Sequence, residues 1–124
     1  MSEDSSADSE AFRKEIESVI EEDDLDEVLG VTIDIALAAT DLEWATGCLI
    51  HLAEHPDTDV RGNAMIGFAH LGDRFDQLSE RDVGPVLRAG LKDPKPHVRQ
   101  QASAALDELS ERLGWAPAES GDPI

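Results

Sequence analysis

Residues 55–61 read His-Pro-Asp-Thr-Asp-Val-Arg and residues 93–99 read Asp-Pro-Lys-Pro-His-Val-Arg. The surroundings stay in register over residues 52–75 and 90–113, 38 positions apart. Pro56 and Pro94, Val60 and Val98, Arg61 and Arg99, Ala64 and Ala102, Leu71 and Leu109, and Arg74 and Arg112 occupy equivalent places. A period of roughly 40 residues, with a proline-containing turn ahead of a helix rich in small residues, is the signature of stacked helix pairs that bury one shared core. The repeat predicts an all-α fold, a short right-handed α-solenoid of about three antiparallel helix pairs. Binding, rather than chemistry, is the use that such a surface suggests.

Working outward from those turns, Thr40-Asp41-Leu42-Glu43 reads as a capping box that starts a helix at Thr40 and carries it to about His55, burying Leu42, Ala45, Cys48, Leu49 and Leu52. After the turn at 56–59, a second helix buries Val60, Ala64, Phe68, Leu71 and Phe75. Ser79-Glu80-Arg81-Asp82 repeats the start signal, with Leu78 and Val83 placed for a hydrophobic staple. Pro85 leaves that start open between Glu80 and Gly84, since proline is tolerated best in a first turn. The last helix, about Pro96 to Leu113, buries Val98, Ala102, Ala105, Leu106, Leu109 and Leu113, and Gly114 supplies a left-handed cap beneath Trp115.

Upstream, Phe12, Ile16, Val19 and Ile20 form a helical stripe over about Glu10–Glu22. Leu25, Val28, Leu29, Thr32, Ile35, Ala36 and Ala39 form another, in which Gly30 costs roughly 1 kcal/mol relative to alanine unless a close contact needs it. This pair reads as a degenerate end cap of the stack. The expected organisation is a disordered acidic leader at 1–8, a repeat domain at 9–115 and a flexible tail at 116–124.

The 28 acidic residues outnumber the 10 basic ones and give a formal charge of -18, with lysine only at 14, 92 and 95. Such a field repels phosphate backbones and anionic lipid, so neither nucleic acid nor membrane is an expected partner. It fits either a surface adapted to high salt or one that steers onto a basic protein. Cys48 is the single cysteine, the first ten residues lack the basic and apolar regions of a secretory signal, and no run of about 18 apolar residues occurs. A cytoplasmic protein is the expectation.

The strings Leu91–Arg99 and His55–Arg61 resemble the inter-helix turn of HEAT repeats, in which Asp-Pro, a polar spacer and Val-Arg precede an alanine-rich helix. The resemblance covers about 41–113. It implies that Arg61 pairs with Asp57 or Asp59 and Arg99 with Asp93, tying turns and neighbouring repeats together. A finer resemblance runs through Ala36-Leu37, Asp41 to Trp44, Cys48-Leu49, His55 to Arg74 and Gly114-Trp115. That set is similar to small bacterial HEAT-like proteins associated with immunity against polymorphic toxins and contact-dependent growth inhibition. The resemblance implies a protein that inhibits a cognate toxin by direct binding, with a basic toxin domain as partner. A general adaptor with a salt-adapted surface is the alternative.

On a helical wheel Asn63, Gly67, His70 and Arg74 share one edge, and Gln101, Ala105, Glu108 and Arg112 stand at the same places in the last helix. Stacking would set the two rows side by side on the inner face of the solenoid. Asn63, Gly67, His70, Arg74, Gln101, Glu108 and Arg112 are therefore the candidate partner-binding residues, joined by Trp44 from a second stripe with Cys48, His51 and His55. His51 and His55 stand one turn apart, but zinc needs at least three protein ligands, so no metal or other cofactor is assigned. The sequence contains no nucleophile elbow, phosphate-binding loop or paired-cysteine site, and no enzyme activity is predicted.

Overall fold

The structure, a computed structural model, describes residues 2–115. Among them the chain forms six helices and no strand: α1 (Ser2–Glu22), α2 (Leu25–Ala38), α3 (Leu42–Leu52), α4 (Thr58–Phe75), α5 (Glu80–Gly90) and α6 (Pro96–Leu113). They pair as three successive hairpins in an all-α solenoid.

Short polar side chains set the starts. Asp24 accepts from the Glu27 N–H at 3.4 Å, and Asp57 accepts from the Asp59 and Val60 N–H groups at 2.8 and 3.1 Å. The cap of α3 is Asp41, not Thr40: its Oδ1 accepts from the Trp44 N–H at 3.0 Å. A carboxylate caps as well as a hydroxyl and adds a charge that the helix N-terminus favours. Ser79 caps α5 through the Asp82 N–H, so that helix begins at Glu80 and Pro85 lies inside it, held by the buried Val83 and Leu87 on either side. α6 relies instead on Pro96 in its first turn and on Asp93, whose Oδ1 accepts from the Lys95 N–H at 2.9 Å. At its far end Gly114 takes φ 76° and donates to the Ser110 carbonyl, with Trp115 buried behind it.

α1 begins at Ser2 rather than near Glu10, so the backbone of 2–8, expected as a leader, continues the helix. The expected tail at 116–124 lies outside the described residues.

The core runs through the middle of the stack. Ile35, Leu49, Leu52, Phe68, Leu71, Leu87, Leu106 and Leu109 are fully buried, and α4 packs extensively against α6 on one side and α2 on the other. α3 and α5 cover this row, whereas α1, α3 and α5 touch one another far less. α2, α4 and α6 thus form one closely packed layer, the inner helices, and α1, α3 and α5 the outer layer. Gly72 makes that closeness possible: a Cβ there would lie 2.4 Å from Leu109 Cδ2. Leu25, expected in the core, is 43% exposed. It is the first residue of α2, and helical side chains lean toward the N-terminus, which carries it past the end of the packed layer.

Candidate functional site

Two seams join the inner helices, and most of the charged candidates are used in them. Between α4 and α6, Arg61 makes a two-pronged pair with Asp93, Nε to Oδ2 at 2.9 Å and Nη2 to Oδ1 at 3.0 Å. Its Nη1 donates to the carbonyls of His55 and Pro56 at 3.1 and 2.9 Å. The side chains of Arg61 and Asp93 are only 15% and 12% exposed, so the pair is largely desolvated and its geometry matters. The hydrogen bond from Arg61, helped by the Lys95 N–H, holds the Asp93 carboxyl below the usual carboxylate range. Arg61 thus reaches forward to the next turn instead of back to Asp57 or Asp59, because Asp57 is already capping α4. Arg99 does meet Asp93, through the backbone carbonyl at 2.7 Å.

The distal ends are joined by the other two arginines. Arg74 donates to the carbonyls of Ala36 and Ala39 at 3.1 and 2.7 Å, satisfying the C-terminal end of α2, and its guanidinium lies 4.9 Å from the Phe75 ring centroid. Arg112, its equivalent, pairs with Asp73 at 3.2 Å and Asp76 at 2.8 Å at the end of α4. Both point back at the preceding inner helix.

These contacts divide the candidate row. Gly67 is buried, and a Cβ there would stand 3.0 Å from Leu49 Cδ1 and 3.4 Å from Ala36 Cβ, so it serves packing of α4 on α2 and α3. Ala105 is buried as well. Gly67 lies about 40° around the helix from Asn63, enough to turn it from the surface into the seam. Arg74 and Arg112 are ties first. His70 and Glu108 are exposed and Asn63 and Gln101 half-buried, so these four keep an outward-facing strip on α4 and α6.

Trp44 belongs elsewhere. It sits on α3 in the outer layer, edge-on to Phe12 with centroids 5.9 Å apart, donating its indole N–H to Glu17 at 2.9 Å beneath the Arg13 guanidinium. Glu17, Ile20, Cys48 and His51 share with it a groove of about 430 Å³ between α1 and α3. Burial, then the nearby Glu17 charge, push the Cys48 thiol up to about 11, so at neutral pH it is a protonated side chain and not a thiolate. His55 accepts the Asp57 N–H on Nδ1 and meets Asp23 through Nε2 at 2.7 Å, which spends both ring nitrogens on linking two turns. Among the described residues no cluster of three or more His, Cys, Asp or Glu is placed to hold a metal ion.

A family model described as HEAT repeats matches residues 46–115, more than half of the chain. The chain belongs to the HEAT repeat family. Comparison with curated proteins and with solved structures returns no match. HEAT repeats generally mediate contact between proteins and are typically non-catalytic scaffolds, and a binding module fits the six-helix stack. Among the described residues no helix is long and apolar enough to cross a membrane.

One part of this HEAT surface escaped the pattern in the sequence. Ile33 and Leu37 on α2 are 48% and 55% exposed, and with Leu25 they are the large apolar side chains left in solvent among the described residues. Their signal was present, since they fall off the stripe of Val28, Thr32, Ile35 and Ala39, but an apolar residue off the stripe of an end-capping helix reads as unremarkable.

Proposed function

We propose that this HEAT module is a non-catalytic inhibitor that captures a basic protein on its inner face. In the finer form of this reading it is a cytoplasmic immunity protein that blocks a cognate toxin domain by direct binding. The observation that carries it is the outward strip formed by Asn63 and His70 on α4 with Gln101 and Glu108 on α6, on helices locked to each other by Arg61 and Arg112, while Arg74 ties α4 to α2. Rigid elements present such side chains at little entropic cost. The net charge of -18 supports the choice of a basic partner, since opposite fields speed encounter and like fields prevent it. The same charge disfavours nucleic acid and anionic membrane as ligands.

The test is affinity capture of the tagged protein from its own cell lysate, beside an Asn63→Ala/His70→Ala/Glu108→Ala bait that leaves the arginine ties intact. One dominant basic partner, released by added salt and lost by the triple variant, is the expected result. Retention of several acidic or neutral housekeeping proteins by both baits would replace the inhibitor with a general adaptor.

A further inference from the structure

We infer that Ile33 and Leu37 form the apolar anchor of the inner face and that the surface takes a cationic segment carrying its own apolar side chains on one side. This rests on the reading of the inner face as the partner surface and names the chemistry of what it takes. Ile33 and Leu37 stand one turn apart, so their side chains are neighbours. They lie on the solvent side of Ala36, the α2 residue that a Cβ at Gly67 of α4 would meet, with Ile33 about 60° around the helix from it. Ile33 is thus on the α4 side of the exposed face of α2, and Leu37, about 100° around the helix from Ala36, stands farther out on the same face. Ile66, half-buried on α4, and Ala104, exposed on α6, continue small apolar surface across the same side.

The surroundings choose among occupants. Asp26, Glu27 and Asp34 are exposed on α2 around the pair, and Glu108 and Glu111 are exposed on α6. The arginines nearest this side are engaged: Arg74 lies on the α2 carbonyls and Arg112 on Asp73 and Asp76. A second copy of the chain would bring the same acidic rim and a further charge of -18 against it. A neutral apolar segment would leave the carboxylates partly desolvated without counter-charge. A segment with lysine or arginine flanking leucine-like side chains covers the anchor and answers the rim together, which is how an amphipathic helix docks in a groove.

The probe is a pair of fluorescent peptides made only of lysine and leucine, one with the leucines on a single helical face and an isomer of identical composition with them scattered. Anisotropy titrations at moderate salt would compare the native protein with Ile33→Ser/Leu37→Ser, with unfolding of both proteins followed in parallel to show that the variant is folded under the titration conditions. The native protein is expected to prefer the amphipathic isomer by roughly tenfold or more, and the double variant to bind both isomers alike. Asp34→Asn should weaken both isomers equally, separating rim from anchor. Equal binding of the isomers by the native protein, or a preference that survives the double variant, overturns the anchor while leaving the capture result for the polar strip standing. Absence of a captured protein partner sinks the inhibitor reading instead.

Discussion

The seam between α4 and α6 and the seam between α2 and α4 join the same kind of helix to its neighbour, yet with different chemistry. In the first, a permanent cation and a mostly buried carboxylate link the turns, Arg61 with Asp93, and Arg112 meets two aspartates at the distal end. In the second, His55 and Asp23 link the turns, and Arg74 meets bare backbone carbonyls. The arginines at 74 and 112 are equivalent in the repeat, but their acceptors are not. A repeat conserves the reach of a side chain within one chain, while whatever lies at the end of that reach is set by the preceding unit. The difference has consequences for stability, because a charged pair withdrawn from water is costly to break from one side only.

Removing Arg61 should therefore produce the largest effect. Arg61→Ala leaves Asp93 in a site only 12% exposed and is expected to cost about 3 kcal/mol in urea unfolding. Asp93 also carries a pH dependence with a defined sign. Its folded pKa is lowered, so its contribution is fully present above the unfolded carboxylate value of about 4 and is lost as pH falls through the folded value. The native protein should lose more stability than Arg61→Ala across that acid range, and parallel acid limbs for the two proteins would contradict the assignment.

Next comes the close approach in the same seam. A Cβ at Gly72 meets a methyl of fully buried Leu109, so Gly72→Ala is expected to cost about 2 kcal/mol. A neutral Gly72→Ala would mean that Leu109 can move aside and that the seam is looser than its geometry. At the other seam Arg74→Ala exposes two carbonyls at a helix end that water can reach, and about 1 kcal/mol is the expected loss. Should Arg74→Ala equal Arg61→Ala, the contrast between the seams would collapse. The smallest change runs the other way: a Cβ at Gly30 meets nothing within 4 Å, and Gly30→Ala should stabilise α2 by up to about 1 kcal/mol, seen as a raised unfolding midpoint.

Much of the fold could be read directly. The stripes through Val60, Ala64, Phe68 and Leu71 and through Val98, Ala102, Ala105 and Leu109 are all buried, because helical periodicity is a local property that the chain carries wherever it packs. The candidate site was legible only in part. Asn63, His70, Gln101 and Glu108 keep an outward position, while Gly67 turns into the seam and Trp44 sits on the outer layer. A wheel drawn for one helix gives each residue an angle but no neighbour, and 40° decides between solvent and a packed interface. Ile33 and Leu37 were missed for the complementary reason, since exposure of an apolar residue depends on what fails to cover it.

By itself the sequence determined the repeat, the helix start near Asp57, the left-handed cap at Gly114 and an acidic surface, and it narrowed the start of α5 to between Glu80 and Gly84, because turn chemistry, periodicity and charge need no knowledge of distant residues. Only the tertiary structure decided that Arg61 answers Asp93 across 32 positions, that Arg74 closes the end of α2, and that Leu25, Ile33 and Leu37 of that helix are left facing solvent. Each of these depends on which helix stands beside which, and at what rotation, and packing settles that for the whole stack at once.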